Sequence, residues 1–287
     1  MGIDNAQQIT DWNGHSGQRW VAHQDWLDRM LASFGDAAID AATPLQGDHV
    51  LDIGCGSGTT SLALAALVGA TGHVIGVDIS EPLIERARDR ASRDHMITFR
   101  LEDASLAPLP IAAFDLLFSR FGVMFFDDAA AAFAHLRRSL KPGGRLAFVC
   151  WRGADENDWI TLPLGAIGDI LPPASPPPPG TPGPFSFGDR DRVTDILERA
   201  GFSDIGLAPF DHDIVFGHGT TDEAAIDDAL HMALEVGPLS RALADQPDPV
   251  RARAMDAVRT AFAAKVRDKA VVIHGAAWIV TARNTPG

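Results

Sequence analysis

A doubly wound, mostly parallel α/β sheet is the fold class this sequence predicts, and three observations predict it. Short apolar runs alternate with amphipathic helical stretches between residues 45 and 152. The connections between them are short, which leaves parallel pairing through right-handed crossovers, with helices on both faces, as the consistent arrangement. A glycine-rich turn (Gly54, Gly56, Gly58) falls where the first apolar strand meets the first crossover helix.

Each element has its own signal. Ahead of the sheet, Trp20, Val21, Trp26, Leu27, Met30, Leu31 and Phe34 recur at roughly helical spacing and predict one or two helices, so residues 1–44 read as an N-terminal helical lid. His49–Ile53 is the first strand, followed by the glycine turn and a helix over 60–68. A second strand, 73–77, leads to a helix with Leu83, Ile84, Ala87 and Ala91 on one face and Ser80 as its N-cap. Ile97–Leu101 and 114–118 supply the third and fourth strands. A helix over 129–140 turns Phe133, Leu136 and Leu140 inward and stops at Lys141-Pro142-Gly143-Gly144, since proline cannot continue it and glycine accepts a tight exit. The fifth strand, 145–150, follows, and residues 45–152 form the α/β core.

Beyond Trp151 the pattern changes. Residues 171–185 (LPPASPPPPGTPGPF) suit neither a helix interior nor a central strand, and they make 153–190 a proline-rich insert, either spacer or lid. A helix over 191–200 with Val193, Ile196 and Leu197 facing inward comes next. Late strands near 205–216 and 277–282 bring the sheet to seven strands within 191–287. Between them a helical substrate cap spans about 218–270, with Met255, Val258, Phe262 and Val266 on one helical face.

Composition narrows the function. The 287 residues carry 38 acidic against 24 basic side chains, a net charge of −14, which argues against nucleic acid and anionic lipid as partners. Cys55 and Cys150 are the two cysteines and read as free thiols. The N-terminus shows no basic region leading into an apolar stretch, and the longest apolar run, about 62–68, is too short to span a bilayer. A cytoplasmic protein is expected.

The informative segment is 50–60, VLDIGCGSGTT. Glycines there allow a sharp turn and close approach of backbone to a ligand, toward which the following helix directs free N–H groups. A dinucleotide fingerprint needs a third glycine at position 59, where Thr59 stands; Gly58 gives G-x-G-x-G instead. The run D-x-G-x-G-x-G after an apolar strand resembles motif I of class I S-adenosylmethionine-dependent methyltransferases. The sub-group it resembles contains the ubiquinone and menaquinone biosynthesis enzymes and natural-product O-methyltransferases. GVDIS (76–80), FRLEDASLAPLP (99–110), FDLLFSRFGVMFF (114–126) and LKPGGRLAFV (140–149) follow in the order of that family.

The resemblance implies a Rossmann-like methyltransferase fold, S-adenosylmethionine as cofactor and S-adenosylhomocysteine as product. It also assigns site residues: Gly54, Cys55 and Gly56 beside the cofactor, Asp78 for the ribose hydroxyls, Ile79 against the adenine, Asp103 and the Ala104 N–H for the adenine ring, and Ser119 beside the methionine moiety. Asp52 either touches the ligand or anchors the loop. Met124, Phe125, Phe126, Trp151 and Trp159 follow strand ends and are expected to line the acceptor pocket. Methyl transfer is an in-line displacement that needs a base only when the acceptor keeps its proton. Candidates are His23 and His231, with Arg120 as an orienting group; His15 and His274 lie in segments that could border the pocket. No Asn- or Asp-Pro-Pro-aromatic element of the kind carried by enzymes that methylate amino groups of DNA bases and protein amides follows the fourth strand; Asp127 and Asp128 are explained as acids opening a helix, so no metal is expected. The expected activity is methylation of a small molecule, O-transfer favoured over C- or N-transfer to a quinone or amine. A nicotinamide oxidoreductase and a non-catalytic cofactor-binding protein are the competing readings.

Overall fold

The computed structural model describes residues 6–91, 96–173, 175, 177, 178 and 180–285. Residues 1–5 of the expected lid and 174, 176 and 179 of the proline-rich loop lie outside the described residues.

Among the described residues, eight strands form one mixed sheet in the order β3-β2-β1-β4-β5-β8-β6, with β7 pairing β8 off that path. Strands β1 (His49–Ile53), β2 (His73–Asp78), β3 (Ile97–Leu101), β4 (Phe114–Arg120) and β5 (Leu140–Trp151) run parallel. β8 (Ala270–Arg283) pairs antiparallel with both β5 and β6 (Ser203–His218). Helices cover both sides.

The eighth strand, the two-residue β7 (Val266–Arg267), was not expected, and it takes Val266 off the helical face assigned to it. Helix α6 (Ala129–Arg137) is shorter than the spacing predicts. Ser139 donates its hydroxyl to Leu136 O, and Leu140 already pairs with Phe114 in the sheet. Lys141–Gly144 is therefore no helix stop. It is an outward bulge in β5, after which the ladder resumes at Leu116 and Arg145, with Lys141 Nζ on the Asp115 carboxylate at 2.7 Å. Ser80 occupies the N-cap position of α5 (Glu81–Arg90), but its hydroxyl makes no cap bond and donates instead to Trp12 O at 2.7 Å.

Three helices precede the sheet: α1 (Ala6–Asn13), α2 (His15–Ala22) and α3 (Gln24–Ala42). α3 buries Trp26, Leu27, Met30, Leu31 and Phe34, and the Trp26 indole N–H donates to Phe216 O on β6 at 2.9 Å. Between β6 and β7 lie α9 (Asp222–Glu235), α10 (Pro238–Leu243) and α11 (Asp248–Ala263). The glycine turn opens α4 (Thr59–Val68), while α7 (Asp158–Ala166) and α8 (Arg190–Arg199) frame the proline-rich segment. Among the described residues, no helix is long and apolar enough to cross a membrane.

Candidate active site

Strand order reverses at β1, which has β2 on one side and β4 on the other. In doubly wound sheets that switch point leaves a crevice beyond the strands' carboxyl ends. The glycine turn fills its floor. Gly54 has φ +66°, and a Cβ added there would lie 2.7 Å from Gly122 Cα, so this glycine lets the turns after β1 and β4 pack main chain against main chain. Gly56 has φ +53°, and no atom lies within 4 Å of the position a Cβ would take there, so its backbone faces open space. A cavity of about 600 Å³ opens from this point.

The cavity brings together most of the residues singled out from the sequence. Gly54, Cys55, Gly56, Asp78, Ile79, Asp103 and Ala104 line it, as do Arg120, Met124, Phe125, Phe126, Trp151 and Trp159. Asp78 is held by backbone donors: Gly56 N–H reaches Oδ2 at 2.8 Å and Ser80 N–H reaches Oδ1 at 2.9 Å. Its burial nonetheless raises its pKa. Asp103 Oδ1 accepts from the N–H and hydroxyl of Ser105, at 2.9 and 2.7 Å. The Cys55 thiol is free and buried, and burial pushes its pKa well up, which leaves it a packing group rather than a nucleophile.

Two residues assigned to the cofactor lie outside the cavity wall. Asp52 is fully buried beneath the turn, where Oδ2 accepts the hydroxyls of Thr60 and Ser61 at 2.8 and 2.6 Å and ties β1 to the first turn of α4. Its Oδ1 has no hydrogen-bond partner, and burial pushes its pKa up to about 6. Ser119 is also fully buried; its hydroxyl donates to Ile53 O at 2.7 Å and accepts Gly122 N–H at 3.2 Å, pinning the β4 turn to β1.

His23 and His231 do not line the cavity either. Their rings meet edge-to-face at 5.7 Å, and His23 Nε2 stands 3.6 Å from the Glu235 carboxylate. His274 is engaged at 3.4 Å with Asp211, also away from the cavity. His15 is the histidine among the lining residues. Among the described residues, no group of three or more His, Cys, Asp or Glu is placed to hold a metal ion.

Several residues on or behind the cavity wall were missed by sequence reasoning. Asn13 clamps the end of β2 from above, donating Nδ2 to Ile79 O and accepting Glu81 N–H on Oδ1, both at 2.8 Å. Trp12 packs edge-on against Trp20 at 5.4 Å and Phe125 at 5.6 Å. Asp28 of α3 and residues 235–237 line the cavity as well. The available signal was Asn13-Gly14, a turn dipeptide that breaks α1 from α2. Phe121, at a left-handed φ of +60°, stacks on Trp151 at 4.3 Å and 19°, and Trp159 lies 5.4 Å from Trp151. The proline-rich segment forms wall as well: Gly183 N–H and the Ser186 hydroxyl both donate to Met124 O, at 3.1 and 2.6 Å, and Pro182 and Pro184 face the cavity.

The site is thus a switch-point crevice floored by a glycine turn, with one acid ending the second strand and another following the third. Residues 50–144 match the family described as a methyltransferase domain, so the chain carries that domain over those residues. Aklanonic acid methyltransferase DauC of Streptomyces sp. (strain C5) is 38% identical over 127 residues, 42% of this chain and 58% of the relative. Nocamycin O-methyltransferase of Saccharothrix syringae is 29% identical over 177 residues, 58% of this chain and 63% of that protein. The chain thus spans less than two thirds of either relative. Among solved structures, a putative methyltransferase of Bacillus halodurans superposes with a TM-score of 0.55 at 20% identity, over 88% of this chain and 100% of the other, which shows the shared fold.

Proposed function

We propose that this protein transfers a methyl group from S-adenosylmethionine to an oxygen of a small, flat acceptor. The observation that carries the reading is one continuous cavity running from the glycine turn and Asp78 to a wall of stacked aromatic rings. The residues fit the cofactor: the open cradle over Gly56 admits a ligand against the main chain, and Asp78 is buried at the wall with its carboxylate already oriented by two N–H groups. When bound, S-adenosylmethionine supplies an electrophilic methyl on a sulfonium whose charge vanishes on transfer.

In this reading Asp78 receives the ribose hydroxyls, Ile79 flanks the adenine, and Asp103 with the Ala104 N–H meets the adenine edge. Gly54, Cys55 and Gly56 form the floor, supported from below by Asp52 and Ser119. Phe121, Trp151 and Trp159 hold the acceptor. Helices α1–α3 and the cap α9–α11 serve as lid and cap over the 45–152 core and exclude water, so alignment supplies the gain. His23 and His231 lie behind the rim, which supports a reaction without an imidazole base and an acceptor that gives up its own proton. O-transfer is favoured over C- or N-transfer by the name of the nocamycin O-methyltransferase relative. A net charge of −14 supports a small-molecule partner over nucleic acid, and two free buried thiols support a cytoplasmic setting.

Isothermal titration with S-adenosylhomocysteine and with NADH tests the reading. We expect S-adenosylhomocysteine alone to bind. Asp78→Ala should weaken it by about 1–3 kcal/mol, by leaving the ribose hydroxyls unpaired. NADH binding in its place would establish the oxidoreductase alternative. Cofactor binding without S-adenosylhomocysteine formation, across a panel of phenols, quinones and amines supplied with S-adenosylmethionine, would establish a non-catalytic protein.

A further inference from the structure

Two guanidinium groups and one carboxylate meet on the cavity wall beside the glycine turn. Asp28 accepts Thr59 Oγ on Oδ1 at 2.7 Å and Gln24 Nε2 on Oδ2 at 3.2 Å. Arg120 reaches Oδ1 and Arg90 reaches Oδ2, each at 3.4 Å. Both distances exceed the roughly 2.7–2.9 Å of a charge-assisted N–H···O bond, as expected when two cations compete for an anion already engaged by neutral donors. Arg90 has further acceptors, Ser57 O and Thr59 Oγ, both at 2.8 Å. For Arg120, among the described residues, the contact with Asp28 is the one hydrogen bond its guanidinium makes, although that group carries five donors. Asp52 attracts Arg120 through space without a hydrogen bond to it.

Position matters as much as charge. A Cβ at Gly35 of α3 would lie 3.1 Å from Arg120 Cδ, 3.8 Å from its Nη1 and 3.8 Å from Thr60 Cγ2. The Arg120 side chain therefore passes through the space that Gly35 leaves and runs beside the first turn of α4. There, backbone N–H groups have no partner within the helix. Its side chain is only 13% exposed, and burial lowers its pKa. A buried guanidinium on a cavity wall, with most of its donors unspent, calls for an anion from the ligand.

The geometry points to Arg120 as the receptor for a carboxylate of the bound ligand, supplied by the amino-acid end of the methyl donor, with Asp28 positioning the guanidinium. This inference rests on the proposed cofactor. An acidic acceptor is the other source of the same chemistry, and the experiment separates the two.

Calorimetric affinities of the full chain for S-adenosylhomocysteine, its carboxamide and 5′-methylthioadenosine are compared in wild type, Arg120→Gln and Arg120→Lys. The carboxamide should bind wild type about tenfold or more weaker than the acid, the scale of a hydrogen bond to a charged group. Arg120→Gln should bring the acid down to the carboxamide's affinity, and Arg120→Lys should fall between. Methylthioadenosine, which lacks the carboxylate, should bind all three alike and so reports that the variants are folded. If Arg120→Gln does not fold, Arg120→Lys carries the test through a reduced acid-to-carboxamide ratio. If acid and carboxamide bind wild type equally, while anthraquinone-2-carboxylate loses affinity in the variants and its carboxamide does not, the receptor role stands and the carboxylate is the acceptor's. Variants that leave both acids unchanged overturn the inference. Wild type that binds neither S-adenosylhomocysteine nor methylthioadenosine refutes the proposed function instead.

Discussion

Asp52→Asn removes a buried charge and keeps an oxygen for Thr60 and Ser61, which makes it a clean probe of what the support under the glycine turn costs. Burial pushes the Asp52 pKa from an ordinary 3.8 up to about 6. The difference of about 2.2 units, at 1.36 kcal/mol per unit, is about 3 kcal/mol of differential stability. The sign follows from the direction of the shift: the folded state binds the proton more tightly, so the stability this group confers is fully present below pH 3.8 and is lost as pH rises through about 6. Between pH 5 and 8 the two-state linkage expression assigns roughly half of that loss, mostly below about pH 6.5. Urea unfolding of both proteins at pH 5, 6, 7 and 8 should therefore show the Asn variant gaining roughly 1–2 kcal/mol on wild type across the series. Asp115 and Asp158, whose N–H and lysine partners hold their carboxyls low despite burial, are common to both proteins and cancel in the difference. A pH-independent difference, or one that grows in favour of wild type, would refute the reasoning. It would mean that Arg120 compensates the Asp52 charge more fully than burial penalises it.

Two further outcomes follow from the same site. Gly54→Ala places a methyl group 2.7 Å from Gly122 Cα at a φ of +66°, where main chain on both sides resists displacement; we expect about 1–3 kcal/mol lower stability in thermal melts and a loss of S-adenosylhomocysteine affinity beyond about tenfold, and an unaffected variant would show that the two turns can separate freely. Asn13→Ala deletes both bonds from the lid to Ile79 and Glu81, about 0.5–1.5 kcal/mol each; amide exchange over residues 8–22 should accelerate and the cofactor should dissociate faster, whereas unchanged exchange would show that aromatic packing alone seats the lid.

The parallel half of the fold was legible in the sequence because its signals are local. His49–Ile53 and Ile97–Leu101 are apolar runs bounded by turn residues, and DIGCGSG can form little other than a turn that opens a helix. The boundaries that failed were those set by partners far along the chain. Lys141-Pro142-Gly143-Gly144 has the composition of a helix stop, yet Leu140 is already in the sheet because Phe114 pairs with it. Ser80 has the composition of an N-cap, but Trp12 O, sixty-eight residues away, takes its hydroxyl. Likewise, His23 and His231 lie on the right elements and turn to one another and to Glu235. Asp28 was passed over because an acid in a helix is ordinarily solvated; only the folded chain brings Thr59, Arg90 and Arg120 around it.

The matched methyltransferase domain, 50–144, contains the turn and the acids that face the proposed cofactor. Much of the remaining cavity wall comes from outside it: Trp12, Trp20 and Leu27 from the helices before the sheet, Trp151 at the end of β5 and Trp159 of α7, Pro182 and Pro184 from the proline-rich segment, and Val236 with Ser240 from the residues between β6 and β7. Such a division suits the chemistry, because a methyl displacement asks little of the acceptor beyond alignment and dryness. A core that presents the methyl donor can then serve different acceptors when only the surrounding wall changes. In this chain the wall is aromatic on several sides, and the N-terminal helical segment that carries Trp12 is fastened directly to the strand end that carries Asp78 through Asn13 and Ser80. We expect acceptor access and cofactor retention to be coupled on that side of the cavity through Trp12, Asn13, Ile79 and Ser80.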